Sequence, residues 1–247
     1  MNSLLSLLQP YPFERLKQLF AEVTLPANYS AISLGMGEPR HPTPQFIKDT
    51  LCSHLEGLAS YPATAGDIRL RTAFTEWIQR RYQLDLNPAT QVLPINGSRE
   101  ALFAFAQTVI DAAQPDPMVV CPNPFYQIYE GATLLAGAKP YYAPSDPARN
   151  FAVDWDSVPL DVWQRTQLIF VCSPGNPTGA VMPLNEWHKL FALSYRYGFS
   201  IASDECYIEI SFRDEPPLCR LQAAKKPARN DIKNLISFSS LAKRSNV

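Results

Sequence analysis

Glycine is scarce in this chain, 10 residues of 247 against 23 prolines, so its turns are built more by proline than by glycine. The three histidines, His41, His54 and His188, share no motif, and the five cysteines form no CxxC pair, so no metal site is expected. Cys121 and Cys172 end apolar strands and read as buried thiols, which fits a reducing, cytoplasmic setting. No run of Lys or Arg points to nucleic acid or a membrane surface, and the formal net charge is only −1. No apolar stretch reaches the length of a membrane span. The apolar start Met1–Leu8 lacks a basic lead and a small-residue cleavage site, and Pro10 and Pro12 interrupt it, which argues against a secretory signal. What remains is 46% hydrophobic and 18% charged, enough for a real core.

From about residue 67 the pattern alternates helix and strand. Leu70, Phe74, Trp77, Ile78 and Tyr82 recur at helical spacing between Asp67 and Gln83. Gln91–Ile95 reads as a short strand, followed by a helix Arg99–Ala113 with Ser98 as its N-cap. Met118–Cys121, Lys139–Ala143, Leu168–Cys172, Phe199–Ser203 and Leu235–Ser239 read as strands. A helix follows Phe125 and ends near Gly137, and another runs Leu184–Tyr197, closed by Gly198. Pro144–Phe151 and Arg213–Asn230 are polar, proline-bearing connections that read as surface loops. Short uninterrupted apolar strands alternating with helices predict an α/β fold, a mostly parallel sheet covered on both faces. Ligands bind such sheets at the carboxyl ends of the strands.

Chemistry-bearing residues collect at those ends. Cys172-Ser173-Pro174-Gly175-Asn176-Pro177-Thr178-Gly179 follows one apolar strand, Asp204-Glu205-Cys206-Tyr207 a second, and Ser240-Leu241-Ala242-Lys243 a third. An amide, a carboxylate, a phenol and a lysine in that order suit a pyridine ring bearing an aldehyde, a hydroxyl and a phosphate. Lys243 would join the aldehyde, Asp204 would keep the ring nitrogen protonated, and Asn176 and Tyr207 would bond the ring hydroxyl. The Ser240 hydroxyl could bond a phosphate oxygen, and the adjacent Arg244 could depress the amine's proton affinity or pair with phosphate. Asn96-Gly97-Ser98-Arg99 lies between a strand and a helix start, a ready anion site, but it is neither GxGxxG nor GxxxxGK[ST]. That argues against dinucleotide and nucleoside-triphosphate readings. Each motif has a bland alternative: a surface lysine, a salt-bridged or capping aspartate, an ordinary N-P turn, a core aromatic.

Taken together, the motifs resemble the class I/II aminotransferases of pyridoxal phosphate fold type I, over nearly the whole chain from Ile32-Ser33-Leu34-Gly35-Met36-Gly37-Glu38-Pro39 to Val247. Gln9–Glu14, Gly37–Pro44, Pro122–Gly131 and Lys243–Val247 are most similar to the proteobacterial succinyldiaminopimelate aminotransferases. The resemblance implies pyridoxal 5'-phosphate as cofactor, Lys243 as the lysine that carries it, Asp204 as pyridinium partner, and Asn176 with Tyr207 on the ring hydroxyl. It further implies Tyr126 stacked on the ring, Ser98, Arg99 and Ser240 around the phosphate, and Gly37 near the substrate carboxylate. Tyr61 would reach the phosphate of a partner subunit in a homodimer. Glutamate would be the amino donor and an N-succinylated amino-oxopimelate the acceptor. Residues 1–40 would form an N-terminal arm and part of a small domain, and 41–247 the cofactor-binding large domain.

The family continues past the lysine segment with Pro-Gly-x-Arg-x-Gly and the rest of a small domain, whereas this chain ends at Val247. The large domain is therefore expected to be C-terminally truncated, lacking an arginine for the phosphate and one for the substrate carboxylate, and inactive alone. Two other functions stay open: another specificity or a C–S lyase on the same cofactor, and an inactive truncated remnant. The bonds Asn123–Pro124 and Asn176–Pro177 are expected to be cis, as in related enzymes.

Overall fold

The computed structural model describes residues 2–30, 32–225 and 233–247. Their apolar strands form a six-stranded sheet in the order β3-β2-β1-β4-β5-β6. The strands are β1 (Met118–Asn123), β2 (Lys139–Asp146), β3 (Ala152–Val153), β4 (Thr166–Cys172), β5 (Ser200–Asp204) and β6 (Leu235–Phe238). Every pairing is parallel except β2 with the short β3, which is antiparallel. From β1 the chain winds first toward β2 and later back to β4. The β1–β4 boundary is therefore the topological switch point, where a crevice opens at the strand carboxyl ends.

The helices are α1 (Pro12–Leu19), α2 (Gln45–Ser53), α3 (Ile68–Tyr82), α4 (Ser98–Val109), α5 (Ile128–Leu135), α6 (Leu160–Arg165), α7 (Leu184–Tyr197), α8 (Arg220–Lys225) and α9 (Leu241–Ser245). Strand pleating divides the core. Val119 and Cys121 of β1, Leu168 and Phe170 of β4 and Ala202 of β5 pack with Leu102, Ala106, Tyr129 and Ala132 of α4 and α5. Their neighbours Val120, Ile169, Val171 and Ile201 face the opposite layer, with Val162 and Trp163 of α6, Trp187, Leu190 and Phe191 of α7, and Ala223 and Ala224 of α8. Both faces are covered, which is why these strands read as apolar runs rather than alternating ones. Leu168, Ile169 and Phe170 are all fully buried, each worth about 1.5–3 kcal/mol against exposure.

Several expectations are corrected. Gln91–Ile95 is not a strand: it pairs with none of the described strands, and Leu93 and Ile95 remain exposed. Apolar residues alone do not make a strand where no neighbour supplies ladder partners. Ser98 does not cap α4; Gly97 holds the N-cap position at φ +124°, and Ser98 is the first helical residue. That helix stops at Val109, because Ile110 already has extended backbone. Pro144–Phe151 is not a plain loop, since β2 runs through Pro144 to Asp146 and a 3₁₀ turn spans Pro147–Arg149. The Arg213–Asn230 connection contains α8, and its residues 226–230 lie outside the described residues.

The segment before α4 is far less buried. Neither α1 nor α2 has a buried residue, and Ile32, Leu34 and Leu58 are 83%, 90% and 83% exposed. Of this part, α3 is anchored best: Ile78 and Tyr82 pack with Ile208, Cys219 and Leu221.

Candidate active site

The register of β4 on β5 pairs Cys172 with Asp204, so both motifs emerge at one rim of the sheet. Asp204 shares the pleat direction of Ala202 and therefore faces the α4–α5 layer. It is 5% exposed. Its Oδ2 accepts a 2.9 Å hydrogen bond from the Tyr129 hydroxyl, and its Oδ1 accepts from the Cys206 N–H at 3.2 Å. Neither partner is charged, and no ion pair to Asp204 occurs among the described residues. A buried carboxylate is ordinarily paired with a cation, so this one is short of a partner.

Tyr129 is 1% exposed, its ring stacked on Phe170 with centroids 4.6 Å apart. Burial, and then the adjacent Asp204, pushes its phenol well above the usual value, so it stays a proton donor. The sequence reading assigned Tyr129 no role. The available signal was its place three residues after Tyr126, in the first turn of α5.

Three further groups meet across long sequence separations. The Lys243 ammonium donates to the Gly37 carbonyl and lies 5.6 Å from the centroid of the Tyr207 ring. The Tyr207 hydroxyl would stand 3.1 Å from a Cβ at Gly37, so a side chain there would crowd it. Burial raises the Tyr207 phenol, and Cys172 and Asp204 add to the effect. Arg244 turns away from the place expected of it: its guanidinium sits 4.3 Å over the Trp77 ring. That cation–π contact, with the Thr43 hydroxyl donating to the Asn246 carbonyl at 2.7 Å, ties α9 to the preceding segments.

At the start of α4, Arg99 Nε donates to the Tyr126 hydroxyl at 2.6 Å, with the guanidinium 5.8 Å from that ring's centroid. The Tyr126 bond is the main reason the Arg99 pKa is raised; the Tyr126 phenol is itself raised by burial, against the pull of Arg99. The Ser98 hydroxyl accepts from the Cys206 thiol at 3.3 Å. Ser240 caps α9, accepting from the Ala242 N–H. The α4 N-terminus, Arg99 and the Ser98 hydroxyl favour an anion.

Asn176 lies past β4, between two cis prolyl bonds, Ser173–Pro174 and Asn176–Pro177; Asn123–Pro124 is also cis. The two expected cis bonds are thus present, and the third was unforeseen. Tyr61 stands apart, fully exposed after the 3₁₀ turn Leu55–Ala59. Among the described residues no group of His, Cys, Asp and Glu could hold a metal ion, and no helix is long and apolar enough to cross a membrane.

An α/β sheet with a lysine and a buried carboxylate past the carboxyl ends of its strands is the setting of this candidate site. The family model for class I and II aminotransferases matches residues 29–247, and the chain belongs to that family. An aminotransferase structure from Neisseria meningitidis is 49% identical with a TM-score of 0.96, covering 100% of this chain and 63% of that one. The aminotransferase AspB of Helicobacter pylori is 36% identical with a TM-score of 0.88, over 97% of this chain and 62% of its own. An LL-diaminopimelate aminotransferase of Aquifex aeolicus is 34% identical over 245 residues, 98% of this chain and 61% of the relative. The chain thus spans about three fifths of the length of these proteins. The family depends on pyridoxal phosphate. The residues here fit that group: the uncompensated Asp204 suits a pyridinium N–H, and the α4 N-terminus suits a phosphate.

Proposed function

We propose that this chain is the cofactor-holding part of a pyridoxal phosphate-dependent aminotransferase acting on a diaminopimelate-type amino acid. The carrying observation is the buried Asp204 carboxylate, bonded among the described residues only to Tyr129 and Cys206, at the sheet rim from which the segments bearing Asn176, Tyr207 and Lys243 leave. When bound, the cofactor supplies an electron sink for charge that develops at the substrate Cα. Asp204 would hold a proton at the ring nitrogen, which keeps that sink effective. Asn176 and Tyr207 would bond the ring hydroxyl, and Tyr126, tethered by Arg99, would pack on the ring. Ser98, Arg99 and Ser240 would orient the phosphate. Lys243 Nζ would carry the cofactor and then move a proton at the substrate Cα as base and acid. Gly37 lines the approach beside it, and its carbonyl already receives Nζ.

In this reading the amino donor is glutamate, the acceptor an N-succinylated amino-oxopimelate, and the working form a cytoplasmic homodimer in which Tyr61 crosses to the other subunit. Its full exposure leaves Tyr61 free for that contact. Residues 1–40 serve as arm and small-domain segment and 41–247 as large domain. The chain by itself would be inactive: among the described residues β6 pairs with one strand, and Ile32, Leu34 and Phe212 are left in solvent. A second reading, transamination of unsubstituted LL-diaminopimelate, is favoured by the name of the Aquifex aeolicus relative.

The test uses the whole reading frame that carries this chain. N-succinyl-LL-diaminopimelate and LL-diaminopimelate are compared as donors to 2-oxoglutarate, with Lys243→Ala alongside. The expected result is preference for the succinylated donor and loss of the covalent cofactor in the variant. Borohydride trapping at another lysine would refute the site, and preference for the free diamino acid would favour the second reading.

A further inference from the structure

Two segments of the candidate site are gripped by one helix that lies outside it, α3. Arg244 is the immediate neighbour of Lys243 on α9, a helix of five residues. So short a helix is marginal alone, and its direction is set by what holds it. Trp77 of α3 holds it, with its ring centroid 4.3 Å from the Arg244 guanidinium. At the other end of α3, Tyr82 is 5% exposed, and its hydroxyl donates to Glu209 Oε1 at 2.5 Å. Arg81 Nε donates to both oxygens of the same carboxylate at 3.2 Å. Burial, and then the Glu209 bond, raises the Tyr82 phenol, so it stays a donor. Glu209 stands two residues after Tyr207 in a compact turn. There the Ile208 N–H donates to the Glu205 carbonyl at 3.1 Å, and the Ile210 N–H to the Tyr207 carbonyl at 2.9 Å. Ile208, between them, packs with Ile78, Tyr82, Cys219 and Leu221.

The two grips form one unit. Trp77 meets the Tyr82 ring edge-on with centroids 5.5 Å apart, and Phe74 flanks Trp77 at the same separation. The Arg81–Glu209 pair alone contributes little, since its side chains are 37% and 18% exposed. The buried Tyr82 hydroxyl is what fixes the carboxylate, by a short charge-assisted bond. The gripped segments then meet each other, because the Lys243 ammonium lies 5.6 Å from the centroid of the Tyr207 ring. We propose that α3 is a positioning element of the candidate active site. Trp77, through Arg244, aims Lys243 Nζ, and Tyr82 with Arg81, through Glu209, holds Tyr207 against it. This inference rests on the proposed function, in which Lys243 carries the cofactor and moves the proton. The demand is geometric: a displacement of about 1 Å at a reacting group costs roughly a hundredfold in rate, even when its origin is remote.

The test uses the protein from the whole reading frame. With pyridoxal phosphate bound, kcat and KM for the amino donor are measured. Separately, the rate at which the cofactor-free protein takes pyridoxal phosphate onto Lys243 is followed by absorbance, with borohydride fixation and mass spectrometry to confirm the lysine. Arg244 is exposed and Tyr82→Phe keeps the buried ring, so Arg244→Gln and Tyr82→Phe should leave the fold intact, as a melt will show. Each is expected to lower kcat and the capture rate roughly ten- to hundredfold, with KM within about threefold of the parent. Trp77→Leu should do the same, and Trp77→Phe, which restores an aromatic face, should recover most of the loss. Trp77→Leu combined with Arg244→Gln should be no slower than the worse single variant, because both remove one contact. Parental kcat and capture rate in Arg244→Gln or in Tyr82→Phe overturn the proposal. Equal losses in Trp77→Leu and Trp77→Phe, or a double variant whose losses multiply, overturn it too, since α3 would then act through folding alone. A parent with no cofactor on Lys243 overturns the proposed function and this inference with it; a parent that carries it, beside unaffected variants, overturns this inference alone.

Discussion

Tyr129→Phe isolates one bond at the centre of the site. The substitution keeps the ring that stacks on Phe170 at 4.6 Å and removes only the hydroxyl that donates to Asp204 at 2.9 Å. Both residues are buried, at 1% and 5% exposure, so water cannot replace the lost donor cheaply. A hydrogen bond to a carboxylate contributes about 1.5–3 kcal/mol, and the unpaired oxygen carries its own desolvation cost. In a chain of this size each kcal/mol moves Tm by about 2–4 °C. The expected drop is therefore about 3–12 °C, measured by circular dichroism without cofactor. Tyr129→Leu also loses the stacking and should fall further, by about another 0.5–1.5 kcal/mol. With the cofactor bound, a pyridinium N–H would give Asp204 a partner, so the penalty of Tyr129→Phe should shrink. A variant within about 0.5 kcal/mol of the parent in both forms would refute the reasoning, because Asp204 would then not depend on Tyr129.

Asp204→Asn should keep part of the cofactor binding and lower transamination steeply, since an amide does not hold the ring nitrogen protonated; near-normal turnover by the whole reading frame would remove Asp204 from the site. Gly97→Ala should destabilise by about 1–3 kcal/mol, because the position has φ +124° and a Cβ would stand 2.4 Å from Glu100 Oε2; an unchanged urea midpoint would contradict it. With a disulfide reagent at pH 8, Cys52, the exposed cysteine, should react fast. Burial pushes the Cys172 thiol up to about 12 and raises Cys121, Cys206 and Cys219 as well, so the reactive thiolate is scarce at those four; more than one fast thiol in the native chain would show the site open to solvent.

Much of this was legible in local patterns. Helical spacing from Leu70 to Tyr82 is observed as α3, and Leu184–Tyr197 with Gly198 as its stop is observed as α7. The apolar runs gave the strands because both sheet faces are covered, and the parallel sheet then places Asn176 and Asp204 at one rim. Gln91–Ile95 shows the limit. Its residues have strand character, but a strand exists only where a neighbour supplies hydrogen bonds, and that is not written in five residues. The contacts that complete the candidate site are likewise tertiary. Tyr129 is 75 positions from Asp204, and Lys243 is 206 from the Gly37 carbonyl. Arg244 reads as a site residue by adjacency to Lys243, yet the ring of Trp77 takes it. Sequence carries propensity and spacing, which act over a few residues; which partner a buried or charged side chain finds depends on how distant segments are brought together, and only the folded chain decides that.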